Sequence, residues 1–359
     1  MKRLLVFWCG VIVILSVLFF SKMLVESQTK TVEATSKNTV NIFNWGEYID
    51  PELLTAFEKE SGYQVIYNTF DSNEAMETKI KQGGSTYDIV FPSESIIPKM
   101  IDSGLLLPID QNKIQGTEDI STFLMNQSFD KKNKYSIPYF WGTIGIMVNT
   151  KQVDAMKIKK WSDLWNSEYK NDILMIDGAR ESIGIALQAE GLSLNELDEA
   201  NVQRGLEKLA KLRSNVKAVL TDEIKTLMIH NDAPIGIGYS GDAAYVMYEN
   251  PDIQYIVPED GGAIWTDNFA IPKTARNLDG AYAFINFMLR PENAKQNAEY
   301  VGYATPSEQA KALLPKELTN DEAFYPEPAA MEQMEHYEYL GRDAVEMYND
   351  LFLEWKLGL

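Results

Sequence analysis

The sequence predicts an α/β protein with mainly parallel strands and enough chain for two lobes. Short β-type runs alternate with helical patterns from residue 40 onward. The chain has 359 residues, 45% of them hydrophobic, which suffices for two cores of about 150 residues each. No internal repeat points to a solenoid or propeller instead.

The chain starts with an export pattern. Lys2 and Arg3 precede an uncharged apolar run, 4–20. At about 1.5 Å per residue it spans roughly 25 Å, short for a membrane helix but sufficient if flanking residues snorkel. No small-residue cleavage site stands out at 21–25, so a retained anchor is favoured slightly over a cleaved signal. The positive flank keeps the N-terminus inside and places the rest outside. Residues 1–25 are therefore read as signal or anchor. Residues 26–39, polar and without apolar period, are read as a flexible tether. Cys9, the lone cysteine, lies too early in the apolar run for a lipoprotein cleavage site, and no internal disulfide can form.

The elements follow in order. A strand at 40–43 leads through Asn44, Trp45, Gly46, Glu47 and Tyr48 into a helix with Asp50 as N-cap and Pro51 as first helical residue. Leu53, Leu54 and Phe57 give that helix its apolar stripe, and Gly62 ends it. After a strand at 64–70, a second helix is capped by Asp71 or Ser72, with Glu74 placed for a capping box with Asp71. Met76 and Ile80 face inward, and Gly83 and Gly84 close it. Residues 87–91 read as a buried strand broken by Pro92 and Ser93. Residues 136–148 form an extended stretch between lobes, and 161–165 open the second lobe. Strands at 173–176 and 233–239, helices at 202–212 and after Gly241, a returning extended run at 262–271 and a helix at 280–289 complete the pattern.

Charge narrows the partners. The formal net charge is −19, and the basic residues of the first 40 run against it. Such a surface repels nucleic acid and anionic lipid and steers cations inward, although acidic surfaces also simply keep exported proteins soluble. An enzyme finds little support. His230 and His336 are the only histidines, and neither sits in a nucleophile, metal or acid–base motif. No glycine-rich phosphate loop or Gly-x-Ser-x-Gly elbow occurs. A carboxylate-pair hydrolase stays open in principle.

Trp45, Glu47 and Tyr48 lie at the carboxyl end of a strand, where open α/β sheets bind ligands. Trp265 and Asp267, two apart in an extended run, share one face. Aromatic faces beside acids suit a ligand that is both cationic and greasy. Taken singly, a tryptophan after a strand is more often core than platform, and Asp50 and Asp71 read as caps.

Seven stretches in order carry a resemblance: Phe43 to Tyr48; Thr69, Phe70, Asp71, Ser72, Asn73 and Glu74; Tyr87, Asp88, Ile89 and Val90; Ser136, Ile137, Pro138 and Tyr139; Asp177, Gly178, Ala179, Arg180 and Glu181; Trp265, Thr266 and Asp267; and Gly302, Tyr303, Ala304, Thr305 and Pro306. From residue 40 onward the chain resembles the spermidine/putrescine-binding proteins of bacterial ABC polyamine importers, of type II periplasmic-binding-protein fold. The resemblance implies two α/β lobes, each a central mixed sheet flanked by helices, with a hinge and an inter-lobe cleft. Lobe 1 would comprise 41–142 with 266–313, and lobe 2 143–265 with 314–359. A monomer would capture a polyamine without covalent chemistry, cofactor or metal. It would then hand it to permease subunits served by a cytoplasmic ATPase, staying membrane-bound through its N-terminal segment and binding no nucleic acid.

A polyamine needs carboxylates for its ammonium groups and flat faces along its methylenes. By resemblance Trp265 stacks on the ligand chain, Asp267 pairs with an amine near its middle and Glu181 takes one end. Trp45, Glu47 and Tyr48 serve the other end. Tyr239 stands where relatives carry tryptophan, Tyr303 and Ser93 match contacts, and Thr221 sits where a small hydroxyl belongs. Gly178 replaces a second aspartate found in relatives, leaving an acidic contact missing or taken over by Asp177. Ser95 replaces a frequent aromatic, and Gly46 is smaller than the threonine sometimes present. These departures bear on the choice between spermidine and putrescine. The tail near Glu335, Tyr337 and Glu338 offers one further polar contact. Another organic cation as ligand, or a sensor role, stays open.

Overall fold

The structure, a computed structural model, describes residues 38–321, 324–326, 328–331 and 333–358. The signal or anchor expected at 1–25, and the tether expected at 26–39 up to residue 37, lie outside the described residues.

With helices of seven or more residues numbered, the first elements are β1 (Thr39–Trp45), α1 (Pro51–Ser61), β2 (Gln64–Phe70), α2 (Asn73–Gln82), β3 (Ile89–Val90) and β4 (Ser136–Asn149). The middle of the chain gives β5 (Ile173–Ile176), α3 (Ala179–Gln188), α4 (Glu199–Leu212), β6 (Val216–Leu220), α5 (Glu223–Ile229), β7 (Ile235–Tyr239) and α6 (Ser240–Glu249). It closes with β8 (Ile253–Ile256), β9 (Gly262–Ala270), α7 (Leu278–Met288), α8 (Pro291–Val301), β10 (Met334–His336) and α9 (Arg342–Leu357).

The strands join in the order β2-β1-β3-β9-β4-β7-β5-β6, with β10 beside β9 and β8 beside β4. Two parallel groups, β2-β1-β3 and β7-β5-β6, stand at either end. The antiparallel pair β4 and β9 lies between them. One end of β4, Ser136 to Pro138, faces the part of β9 whose Ala270 pairs with Val90 of β3. The other end pairs with β7 and β8. Every residue of both strands is buried, so neither shows the alternation of a half-exposed strand, and the polar side chains they carry, Asp267 among them, are held in the interior. The ladder slips between Pro138 and Phe140, where proline has no N–H to donate.

Local signals explain most element ends. Asp50 accepts from the Glu52 N–H, Pro51 opens α1, and Gly62 closes it in the left-handed region at φ 75°. Several sequence expectations need correction or refinement. β1 runs on to Trp45, because its parallel pairing continues to Trp45 opposite Phe70, and it starts at Thr39 inside the expected tether. Ser72 alone caps α2, accepting from Ala75 N–H, so the capping box of Asp71 with Glu74 is not formed. Residues 161–165 form a short 3₁₀ turn whose Trp161 and Ser162 N–H groups are held by Asp260. Within 87–91 only Ile89 and Val90 pair as strand. Asp88 is instead a buried junction, accepting from the N–H groups of Asn41, Arg276 and Asn277.

Candidate functional site

The loop after β1 turns sharply at Glu47, whose φ is +53°. That turn drops Tyr48 into the interior. There its carbonyl accepts from the Tyr139 hydroxyl at 2.6 Å, and Asn297 of α8 donates to the same hydroxyl at 2.8 Å. Asn297 also accepts from Asp50 N–H, so the helix cap and the tyrosine are positioned together.

The Tyr48 hydroxyl donates to Asp267 Oδ2 at 2.6 Å, and Ser93 Oγ donates to Oδ1 at 2.6 Å. Ser93 is held by Asn73 at the start of α2 and forms an isolated bridge with Asp267. Asp267 is only 6% exposed. Burial pushes its carboxyl up to about 6, against the pull of the two hydroxyls. Among the described residues it is met by two hydroxyl donors and forms no ion pair, and a cation brought to it would balance its charge.

Beside it runs a lane of aromatic rings. Tyr48 meets Tyr303 edge-on at 5.5 Å, Tyr303 meets Trp265 at 4.8 Å, and Trp265 meets Tyr239 at 6.2 Å. The far end is acidic again, for the Tyr239 hydroxyl donates to Glu181 Oε1 at 3.2 Å. Burial, and then the charge of Glu181, keep that hydroxyl protonated. Glu181 sits in the first turn of α3, where the helix dipole favours an anion. Its carboxylate lies over Gly178, where a Cβ would come within 2.1 Å of Oε2.

Tyr48, Ser93, Asp267, Tyr303, Trp265, Tyr239 and Glu181 thus form one connected set drawn from distant parts of the chain. Three expected residues stand outside its hydrogen bonds and ring contacts. Trp45 is half-buried, donating to Phe91 carbonyl at 2.9 Å and packed on Phe70. Glu47 and Thr221 are exposed, Thr221 donating to Glu223. Asp177, beside Gly178, has its carboxylate paired with Lys356 of α9 at 2.7 Å. Glu335 is engaged by Leu194 N–H, Ser193 and Gln188.

Sequence reasoning missed several groups. Glu94, 1% exposed, accepts from Thr266 N–H at 2.7 Å. Burial pushes its carboxyl up to about 8; backbone donors oppose this, and the charge of Asp267 adds to it. Tyr337, by contrast, is one of the tail residues named from the sequence, and it is buried within the field of Glu181. Asp242, in the first turn of α6, pairs with Lys225 of α5 at 3.1 Å. Glu94 and Asp242 both follow the carboxyl end of a strand, the rule that singled out Trp45, and could have been found by it. An open groove of about 600 Å³ along β2 and α2 contains none of these residues. Among the described residues no group of three or more His, Cys, Asp and Glu side chains is placed to hold a metal. Nor is any helix there long and apolar enough to cross a membrane.

Residues 52–326 match the family model described as bacterial extracellular solute-binding protein. The chain is 37% identical over 326 residues to the spermidine/putrescine-binding periplasmic protein of Salmonella typhimurium, covering 90% of this chain and 93% of that one. Among solved structures, the spermidine/putrescine ABC transporter substrate-binding protein PotD of Streptococcus pneumoniae superposes with a TM-score of 0.84 at 53% identity, covering 89% of this chain and 99% of that one. A putative spermidine/putrescine ABC transporter protein from Listeria monocytogenes gives 0.82 at 51% identity, covering 90% and 100%. The fold is therefore the two-lobed α/β architecture expected from the sequence.

Proposed function

The chain belongs to the bacterial extracellular solute-binding proteins, and from that premise we propose that it captures a polyamine, spermidine or putrescine, for an ABC importer. The observation that carries this reading is the sequence of charges and rings: a buried Asp267 without a cation, four aromatic rings edge to face, then Glu181. An alkyl diammonium presents the complementary sequence of charge, methylenes and charge. Free alkylamines titrate near the lysine value, so the ligand arrives fully charged at neutral pH. Each ammonium must exchange its water for a carboxylate, and the rings exclude the water that would compete.

The lobes would be 41–142 with 266–313 and 143–265 with 314–359. Gly142 and Trp265 sit directly opposite one another in the β4–β9 ladder, so both crossings fall at one level of the sheet. Closure about that level would bring Glu181 and Tyr239 of one lobe against Tyr48 and Ser93 of the other. The protein would act as a monomer on the outer face of the membrane, held by its N-terminal segment, and pass the ligand to the permease without any covalent step.

Isothermal titration calorimetry with putrescine, spermidine, spermine and an unrelated amino acid tests this. Micromolar or tighter binding of a polyamine, with the amino acid silent, is the expected result. Silence from every polyamine, on folded protein freed of carried-over ligand, would leave the fold and remove the ligand.

A further inference from the structure

A cation of the protein's own stands close to the aromatic lane. Lys225 lies in the first turn of α5, just after Asp222 at its N-cap. Its ammonium lies 3.1 Å from Asp242 Oδ1 and 3.8 Å from Asp222 Oδ1. Asp242 adjoins the aromatic lane. The preceding Gly241 packs so tightly on Tyr303 that a Cβ there would come within 1.8 Å of ring atom Cε1. Asp242 also supplies the strongest charge acting on the Tyr303 hydroxyl. From the opposite side of the cleft, Glu47 adds its field at the Lys225 ammonium. Burial opposes the charge on this lysine, and Asp242, Asp222 and Glu47 together outweigh it.

We propose that Lys225 is a specificity residue of the ligand site: it occupies an ammonium position at the Glu47 end of the aromatic lane and thereby favours a diamine over a triamine. The inference rests on the polyamine reading above and adds to it a choice among polyamines. Asp242 has its charge already met by Lys225, and its side chain is only 26% exposed, so little of it is free to meet a ligand amine. A diamine can answer Asp267 and Glu181 and stop short of this end. For the third ammonium of spermidine, extending toward Glu47, the Lys225 charge offsets the pull of Asp242, Asp222 and Glu47 in a partly buried setting where charge interactions are weakly screened. A repulsive group discriminates by weakening the competitor more than the preferred ligand.

The test compares dissociation constants for putrescine and spermidine in the wild-type protein and in Lys225→Met, Lys225→Gln and Lys225→Arg, with thermal melting of each unliganded protein as the folding check. Lys225→Met and Lys225→Gln remove the charge by different routes, so either suffices should the other fold poorly. Both are expected to move the affinity ratio about tenfold or more toward spermidine, while Lys225→Arg keeps the wild-type ratio. A ratio unchanged in the neutral variants, or moved toward putrescine, overturns the role of Lys225 and leaves the polyamine reading standing. Failure of the wild-type protein to bind either amine overturns both.

Discussion

Lowering the pH from 7.5 to 5.0 should weaken polyamine binding about tenfold, through Asp267. Its carboxyl is held at about 6 in the unliganded protein, raised by burial against the Ser93 and Tyr48 hydroxyls. Only the carboxylate pairs with an ammonium. At pH 7.5 nearly every molecule has it ionised, and at pH 5.0 about one in eleven does, a loss of about 1.4 kcal/mol in apparent affinity. The ligand does not titrate in this window, since its amines stay protonated near the lysine range. Glu94 does not interfere either, because a carboxyl at about 8 is largely protonated at both pH values. The assay is calorimetric titration at both pH values, repeated at pH 5.0 in two buffers of different ionisation heat. Binding at pH 5.0 should release close to one proton. In Asp267→Asn, affinity should fall by several kcal/mol at pH 7.5, since an ammonium is left without its partner, and the slope should flatten. Asp242 is also raised by burial, against the pull of Lys225, and any slope persisting in Asp267→Asn would belong to it or another acid. Equal wild-type affinity at the two pH values, or a full slope retained in Asp267→Asn, would refute the reasoning.

The same carboxyl acts on stability with the opposite sign from a salt-bridged aspartate. Its folded value lies above the unfolded one, so its contribution is present below about pH 4 and is lost as pH rises through about 6, by roughly 3 kcal/mol. Melting of unliganded wild type against Asp267→Asn across that range should show the asparagine variant gaining relative stability as pH rises. Tyr48→Phe removes a hydroxyl donor from Asp267 Oδ2. It should raise the pH midpoint of binding and cost about 1–2 kcal/mol of affinity at pH 7.5, read by calorimetry. Gly241→Ala places a methyl inside the Tyr303 ring, which Tyr48, Phe140 and Trp265 hem in. Loss of ligand-induced stabilisation in a thermal shift assay is expected, with the fold retained by circular dichroism. Asp88→Ala strands the N–H groups of Asn41, Arg276 and Asn277 and should destabilise by about 3 kcal/mol or more, visible as a Tm lower by several degrees.

The sequence announces those features whose cause is local. Pro51 after Asp50, and Gly62 in the left-handed region, bound α1 without help from anything distant. The burial of Met76 and Ile80 follows from helical spacing alone. What depends on distant pairing was less legible. β1 reaches Trp45 because β2 continues beside it, which no window around Trp45 reveals. The alternation rule put Trp265 and Asp267 on one face, and both indeed adjoin residues of the aromatic lane, Tyr303 and Tyr48. That Ser93 and Tyr48 would both donate to Asp267 came from resemblance only at the level of membership, not of contact. The strand-end rule could have raised Glu94 and Asp242 as candidates, but only their burial separates them from solvated acids. Lys225 escaped for another reason: a search for a cation's partners looks for acids and passes over a lysine.

The pairing order of the sheet also sets when this chain can fold. β3 acquires its outer neighbour only when Ala270 has been made, and β1 is covered by α7, which comes later still. A chain emerging from its N-terminus therefore holds the half-built group β2-β1-β3 with an open edge through most of its synthesis. Contacts of such long sequence separation form late and slowly, because loop closure must be met before the pairing rewards it. For a protein that has to be threaded across a membrane, delay is useful. The sheet order that brings residues 39–90 and 262–270 together is one in which this pairing waits until most of the chain has been made.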